Sequence, residues 1–202
     1  LLAAVLVNSP LDNEIAGDGL TTLREALNEV NATVNDVDPV DTVNFSFSNQ
    51  TIQLADRDQL DIRASVTING NDNLVRSGTT EATRARVMNI SPLEVAGQEG
   101  KYFGDMSVTL NDLTLFGGLT TPDNDADSRS LANGAFINSH RSGGGIRFNS
   151  TGTLTLSNSD VLSSATRGQL ASGGGIFAVG PVVLENGSRV ANNSSGGETG
   201  DI

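Results

Sequence analysis

The block Ser142-Gly143-Gly144-Gly145-Ile146 returns as Ser172-Gly173-Gly174-Gly175-Ile176. Each copy leads into a short alternating segment, Thr153-Leu154-Thr155-Leu156 in the first and Pro181-Val182-Val183-Leu184 in the second, and Asn follows at 158 and 186. The same segment stands earlier as Ser107-Val108-Thr109-Leu110 and as Ser65-Val66-Thr67-Ile68. Alternation at period 2 puts Val66/Ile68, Val108/Leu110, Leu154/Leu156 and Val182/Leu184 on one face and Thr or Ser on the other. No such strand can bury its apolar face alone. Stacked about 4.8 Å apart, four copies form one inner column in which each side chain contributes roughly 1.5 to 3 kcal/mol by burial. The fold this predicts is a parallel β-helix, a solenoid with Leu154 and Val182 in its lumen and Thr155 and Val183 facing out.

The spacings fit unequal rungs. Val66 and Val108 are 42 residues apart, Val108 and Leu154 are 46 apart, and Leu154 and Val182 are 28 apart, so the last interval reads as a bare rung. The surplus in the third copy falls at residues 119–141, polar and aperiodic, which predicts a loop excursion from a rung corner. The Gly triplets suit tight corners. Residues 71–106 are harder to read, with Arg86-Val87-Met88-Asn89-Ile90 as a candidate strand and Gly97 to Lys101 as a loop.

Composition agrees with many short strands. The 202 residues include 23 Gly, one Tyr and no Trp, and no linker divides them, so a single domain is expected. A net charge of -12 argues against nucleic acid as a partner. Lys101 is the one lysine, and no basic cluster is visible in the sequence. The chain has no Cys, which removes disulfides and thiolate metal sites. Its longest apolar run, Leu1 to Val7, is far short of the roughly 18 residues of a membrane-spanning helix and reads as a first strand.

One helix is predicted, over Thr22 to Val30. Thr22 and Glu25 form a capping box, and Leu23, Ala26, Leu27 and Val30 make one apolar stripe. Residues 1–40 are therefore expected to supply a strand and a capping helix that covers the open first rung, and 41–202 the rungs.

Val7-Asn8-Ser9, the turn ending Gly17-Asp18-Gly19, and Leu20-Thr21-Thr22-Leu23-Arg24-Glu25-Ala26-Leu27 followed by Asn31-Ala32 resemble the amino-terminal module named for its Cys-Ser-Leu-Arg-Glu-Ala motif, found in bacterial exported right-handed parallel β-helix proteins. Thr21 and Thr22 stand where that motif has Cys and Ser. The continuation through Asp41-Thr42-Val43-Asn44-Phe45, Thr51-Ile52-Gln53-Leu54, Val66 to Gly70 and the Gly-Gly-Gly-Ile blocks is also similar to that family. The resemblance implies a secreted or cell-surface β-helix belonging to a longer chain, and no single biochemical activity.

Three groups of residues could carry chemistry. Asp123, Asp125 and Asp127 alternate, the spacing with which one loop can offer several oxygens to Ca²⁺; the alternative is a solvated acidic loop. Ser128 and Gly134 stand where an EF-hand needs Gly and Glu. Polysaccharide cleavage, the second option, would draw on Arg141, Arg147, Asp125 and Asp160, but their spacing matches no motif, His140 has no local triad partner, and fold analogy alone supports it. Third, Asn69, Asn111, Asn158 and Asn186, after the repeat strands, are expected to serve turns and ladders.

The sequence thus reads as an extracellular or cell-surface structural or adhesive module, non-catalytic and requiring no cofactor, with calcium the one ion it offers a site for. Its alternative is a carbohydrate-active or carbohydrate-binding β-helix, which an exposed row drawn from Tyr102, Phe103, Phe116, Phe136, Phe148 and Phe177 would favour. Expected partners are a surface protein or a polysaccharide. At the carboxy-terminal rung, which lacks a cap, continuation of the chain or self-association is expected.

Overall fold

A computed structural model describes residues 4–15, 17–32, 40–92, 105–121, 142–168 and 171–196. The fold is mainly β with one short helix, and every strand pair is parallel, as in a β-helix. The largest sheet runs in the order β1 (Ala4–Val7), β2 (Asp41–Phe45), β5 (Val66–Arg76), β7 (Val108–Phe116), β10 (Leu154–Ser157) and β14 (Val182–Glu185). β3 (Thr51–Gln53) pairs with the second half of β5, β11 (Asp160–Leu162) with that of β7, and β15 (Arg189–Ala191) with β11. A second sheet holds β4 (Leu60–Ile62), β6 (Met88–Ile90), β9 (Ile146–Phe148) and β13 (Ile176–Ala178); a third holds β8 (Leu119–Thr120), β12 (Ala165–Arg167) and β16 (Ser194–Gly196).

The register pairs the repeats as expected. Val66 lies opposite Val108, Val108 opposite Leu154 and Leu154 opposite Val182. The neighbouring column runs Val5, Val43, Ile68, Leu110, Leu156 and Leu184. Ile52, Val75, Leu115, Val161 and Val190 stack in the other half of the large sheet, and Ile62, Ile90, Phe148 and Ala178 in the second sheet. Members inside these stacks are fully buried. The core is therefore a set of stacked columns, each closed by its neighbours above and below.

Where the chain bends, strand pairing lapses and side chains replace it. The N–H of Leu113 donates to Ser159 Oγ (3.1 Å) and that of Ser159 to Ser188 Oγ (2.9 Å). At the next bend Gly118 donates to Ser164 Oγ (3.2 Å) and Ser164 to Asn193 Oδ1 (2.8 Å). Two columns of left-handed residues turn the chain there, Asp112, Asn158 and Asn186 at φ of 51°, 48° and 52°, and Gly117, Ser163 and Asn192 at 75°, 53° and 56°. Asn and Asp tolerate this conformation best after Gly. The richness in Ser and Asn is thus a requirement of stacking bends.

Several expectations change. Leu119 and Thr120, assigned to the loop excursion, form strand β8 and pair with β12, because Leu119 is apolar and buried. The Asn ladder links Asn44, Asn69 and Asn111, with amides donated from Asn69 to Asn44 (2.8 Å) and from Asn111 to Asn69 (2.9 Å). Asn158 and Asn186 sit one position later, in the left-handed bend, and bond Asp112 Oδ1 (2.6 Å) and Ser157 Oγ (2.8 Å) instead. Val182 is 38% exposed rather than buried, since it belongs to the outermost described layer.

Thr120 and Thr166 lie opposite one another in the third sheet, 2% and 1% exposed, and neither hydroxyl has a hydrogen-bond partner among the described residues. A buried hydroxyl without a partner is costly. Thr166→Val, which keeps the shape, is expected to stabilise the protein by about 1 kcal/mol. A lower midpoint in urea than that of the parent would show that the hydroxyl is satisfied after all.

Candidate functional site

The two ends of the stack differ, and the difference begins in the helix α1 (Leu23–Ala32). Thr22 precedes it as predicted: its N–H donates to Glu25 Oε2 (2.9 Å) and its Oγ1 accepts from the Glu25 N–H (3.2 Å). Leu23, Ala26, Leu27 and Val30 are buried, and the helix packs on β1, β2 and β4.

The polar residues of α1 and the preceding turn occupy the outer edge of β4. Asn31 Nδ2 donates to the Asp61 carbonyl (2.9 Å), and Asn31 Oδ1 accepts from the Arg63 N–H (2.7 Å). Accepting from one residue and donating to the carbonyl two before it is what a parallel neighbouring strand does; one amide side chain stands in for a strand. Arg24 adds a bond to the Gln59 carbonyl (2.9 Å) while held by both oxygens of Asp12 (2.8 and 2.9 Å). Asp12, its side chain 2% exposed, also accepts from the Ala55 N–H (2.7 Å). Burial alone would lower the pKa of Arg24, but the hydrogen bond and charge of Asp12, with Asp58 and Glu14, outweigh it and raise the value.

A groove of about 370 Å³ remains between α1 and β4, with Glu14, Asn28, Asp58, Asp61 and Arg63 on its walls. Its charges are compensated internally. Glu14 accepts from Asn28 (2.9 Å), Asp58 lies 3.2 Å from Arg24, and Asp61 lies 3.7 Å from Arg63. No group of His, Cys, Asp or Glu suited to a metal occurs among the described residues.

The far end has no such closure among the described residues. β13, β14, β15 and β16 each pair on one side only. Val182, Leu184 and Val190 are 38%, 49% and 40% exposed, whereas their stack partners Leu154, Leu156 and Val161 are wholly buried. Each layer donates N–H groups to the carbonyls of the next, as Leu154 does to Pro181 (3.0 Å) and Asn158 to Glu185 (3.2 Å). Residues 182–196 carry one acid, Glu185, and one base, Arg189, so this edge is neutral on a chain of net charge -12. An apolar, neutral row of open strand edges is a template for further pairing.

Of the sequence candidates, Asp123, Asp125, Asp127, Arg141 and His140 lie outside the described residues. Arg147 is 3% exposed on β9 in the second sheet. Asp160 lies on β11 in the large sheet, ion-paired to Arg189. The structure does not bring these two together on one strand stack. The aromatic row is not formed by the described members: Phe148 is in the core, Phe116 is half-buried beneath Arg76, 5.6 Å from ring centroid to guanidinium, and Phe177 is on the second sheet.

Sequence reasoning saw no basic cluster and missed what the arginines do. Arg86, 2% exposed, donates to the carbonyls of Gly143 (3.0 Å) and Ser142 (3.2 Å) and to Gln59 Oε1 (2.8 Å). Arg84 donates to the carbonyls of Gly117, Gly118 (3.2 Å) and Ser163 (3.0 Å). Burial, and next the charge of Arg76, lower its pKa. These guanidiniums tie successive bends together, a role no local pattern signals. Against protein-family models, curated proteins and solved structures the chain finds no match.

Proposed function

We propose that this chain is a right-handed parallel β-helix module with a structural or adhesive, non-catalytic role on a cell surface or in the extracellular space, of the kind its Leu-Arg-Glu-Ala segment resembles. The observation that carries the reading is the polarity of the stack. The amino-terminal edge is occupied by Asn31, Arg24 and Asp12, and the opposite edge offers neutral, half-exposed Val182, Leu184 and Val190. Among the described residues the stack is covered by α1 at one end and uncovered at the other, and a stack of that kind extends in one direction. The occupant that fits the open edge is a further layer of parallel strands with the same apolar alternation, which would bury those side chains as Leu154 and Leu156 are buried. The interior columns and side-chain bonds at the bends make a stiff scaffold, suited to holding loops away from a surface.

Light scattering on the 202-residue chain tests this reading. Apparent mass is expected to rise with concentration, and Val183→Lys, which places a charge on the open edge, is expected to reduce the rise. A stable monomer over a wide concentration range would overturn the open-edge reading.

A further inference from the structure

The outward face of the large sheet divides into a regular half and an irregular half. In the regular half Thr42, Thr67, Thr109 and Thr155 are opposite one another on consecutive strands. Two residues along each strand stand Asn44, Asn69, Asn111 and Ser157, in the same register. Parallel-strand geometry puts neighbours about 4.8 Å apart across the strands and about 6.7 Å apart along them. All eight are half-buried, as flat-lying outward side chains are. Asn111 donates to Asn69 and Asn69 to Asn44 along the row, which fixes their orientation. The four threonine hydroxyls make no hydrogen bond among the described residues, and their side chains are half-buried at outward positions.

This regularity is not imposed by the fold. On the other half of the same strands one outward row reads Leu74, Thr114, Asp160, Arg189, and the next places Arg76 beside Phe116. The regular half carries no charge over these four strands of a chain whose net charge is -12, and no aromatic ring; β14 ends its two rows with Val183 and Glu185.

We infer that the Thr/Asn array binds the face of an ice crystal. A flexible polymer does not present the same group at a fixed spacing in two directions, whereas a crystal face does. Among crystals, those built of sugar rings favour aromatic side chains that stack on their C–H faces, and this face has none. Water molecules in a lattice suit an array of hydroxyls and amides that can each donate and accept, with methyl groups between them that need no hydrogen bonds. Rigidity adds to the case, because an array already held by the Asn ladder loses little conformational freedom on binding. Failure of this inference would leave the structural role untouched.

The test is partition of the full 202-residue chain into slowly growing ice, measured as protein in the ice over protein in the liquid. Thr109→Tyr combined with Thr155→Tyr breaks the plane of the array, and Thr114→Tyr does so on the irregular half of the same strand. The parent and Thr114→Tyr are expected to enter the ice at a ratio about tenfold above the double variant, a difference of about 1.4 kcal/mol. Circular dichroism checks that each is folded. If the double variant does not fold, Thr109→Ser, which keeps the hydroxyl and removes the methyl, is expected to show a smaller loss in the same direction. Exclusion of the folded parent from ice, equal partition of parent and array variants, or retention on crystalline cellulose or chitin but not on ice would each overturn the inference.

Discussion

Leu154→Asp is expected to abolish cooperative unfolding of the protein. Leu154 is wholly buried between Val108 and Val182, and no described side chain there can pair with a carboxylate. Truncating such a leucine costs about 2 to 5 kcal/mol, and an unpaired buried charge adds several more. Against a total stability of about 5 to 15 kcal/mol the folded state would not survive. Thr155→Asp, one residue on, points outward and should cost less than about 1 kcal/mol. Val182→Asp is the more informative comparison. It occupies the same column, but at 38% exposure its charge remains hydrated, so its effect should fall between the other two and close to that of Thr155→Asp. Urea denaturation followed by circular dichroism separates the three. Equal losses at 154 and 155 would mean that the facing is wrong, and a loss at 182 as large as that at 154 would mean that the last layer is covered.

Gly144→Ala is expected to cost about 3 kcal/mol or more, which lowers the melting temperature by roughly 6 to 12 °C. A Cβ on Gly144 would fall on the carbonyl oxygen of Ala165 and within 2.5 Å of that of Gly174. Both obstacles are backbone, in the same layer and in the next, and neither can move without breaking the Gly145 N–H bond to Gly175 (2.9 Å) or displacing β12. The obstruction arises because the Gly triplets are stacked, with Gly143 donating to Ser172 (3.0 Å) and Gly144 to Gly173 (3.2 Å). Gly187→Ala serves as the control, since nothing lies within 4 Å of its Cβ position. Its cost should be limited to the strain of its φ of 84°, roughly 1 kcal/mol. Thermal melts of both variants check this, and a Gly144→Ala protein as stable as Gly187→Ala would contradict the close approach.

The alternation of Val66/Ile68, Val108/Leu110, Leu154/Leu156 and Val182/Leu184 determined strand type, facing and register by itself, because period 2 is a local property and an apolar face repeated at intervals can be buried only by its own copies. The capping box of Thr22 and Glu25 and the stripe of α1 were legible for the same reason, being formed within a few residues. What only the tertiary structure decided depends on pairs far apart in the chain. Asn31 stands in for a strand beside Asp61 and Arg63, Arg86 reaches Gly143, and Ser159 accepts from Leu113; each joins residues more than 25 apart whose types alone signal nothing. Leu119 and Thr120 read as loop because two residues are too few to show a period, and they became strand only because β12 lies beside them. Val182 looked identical to Leu154 in sequence and differs from it in burial, since exposure is set by whether another layer follows and not by the residue.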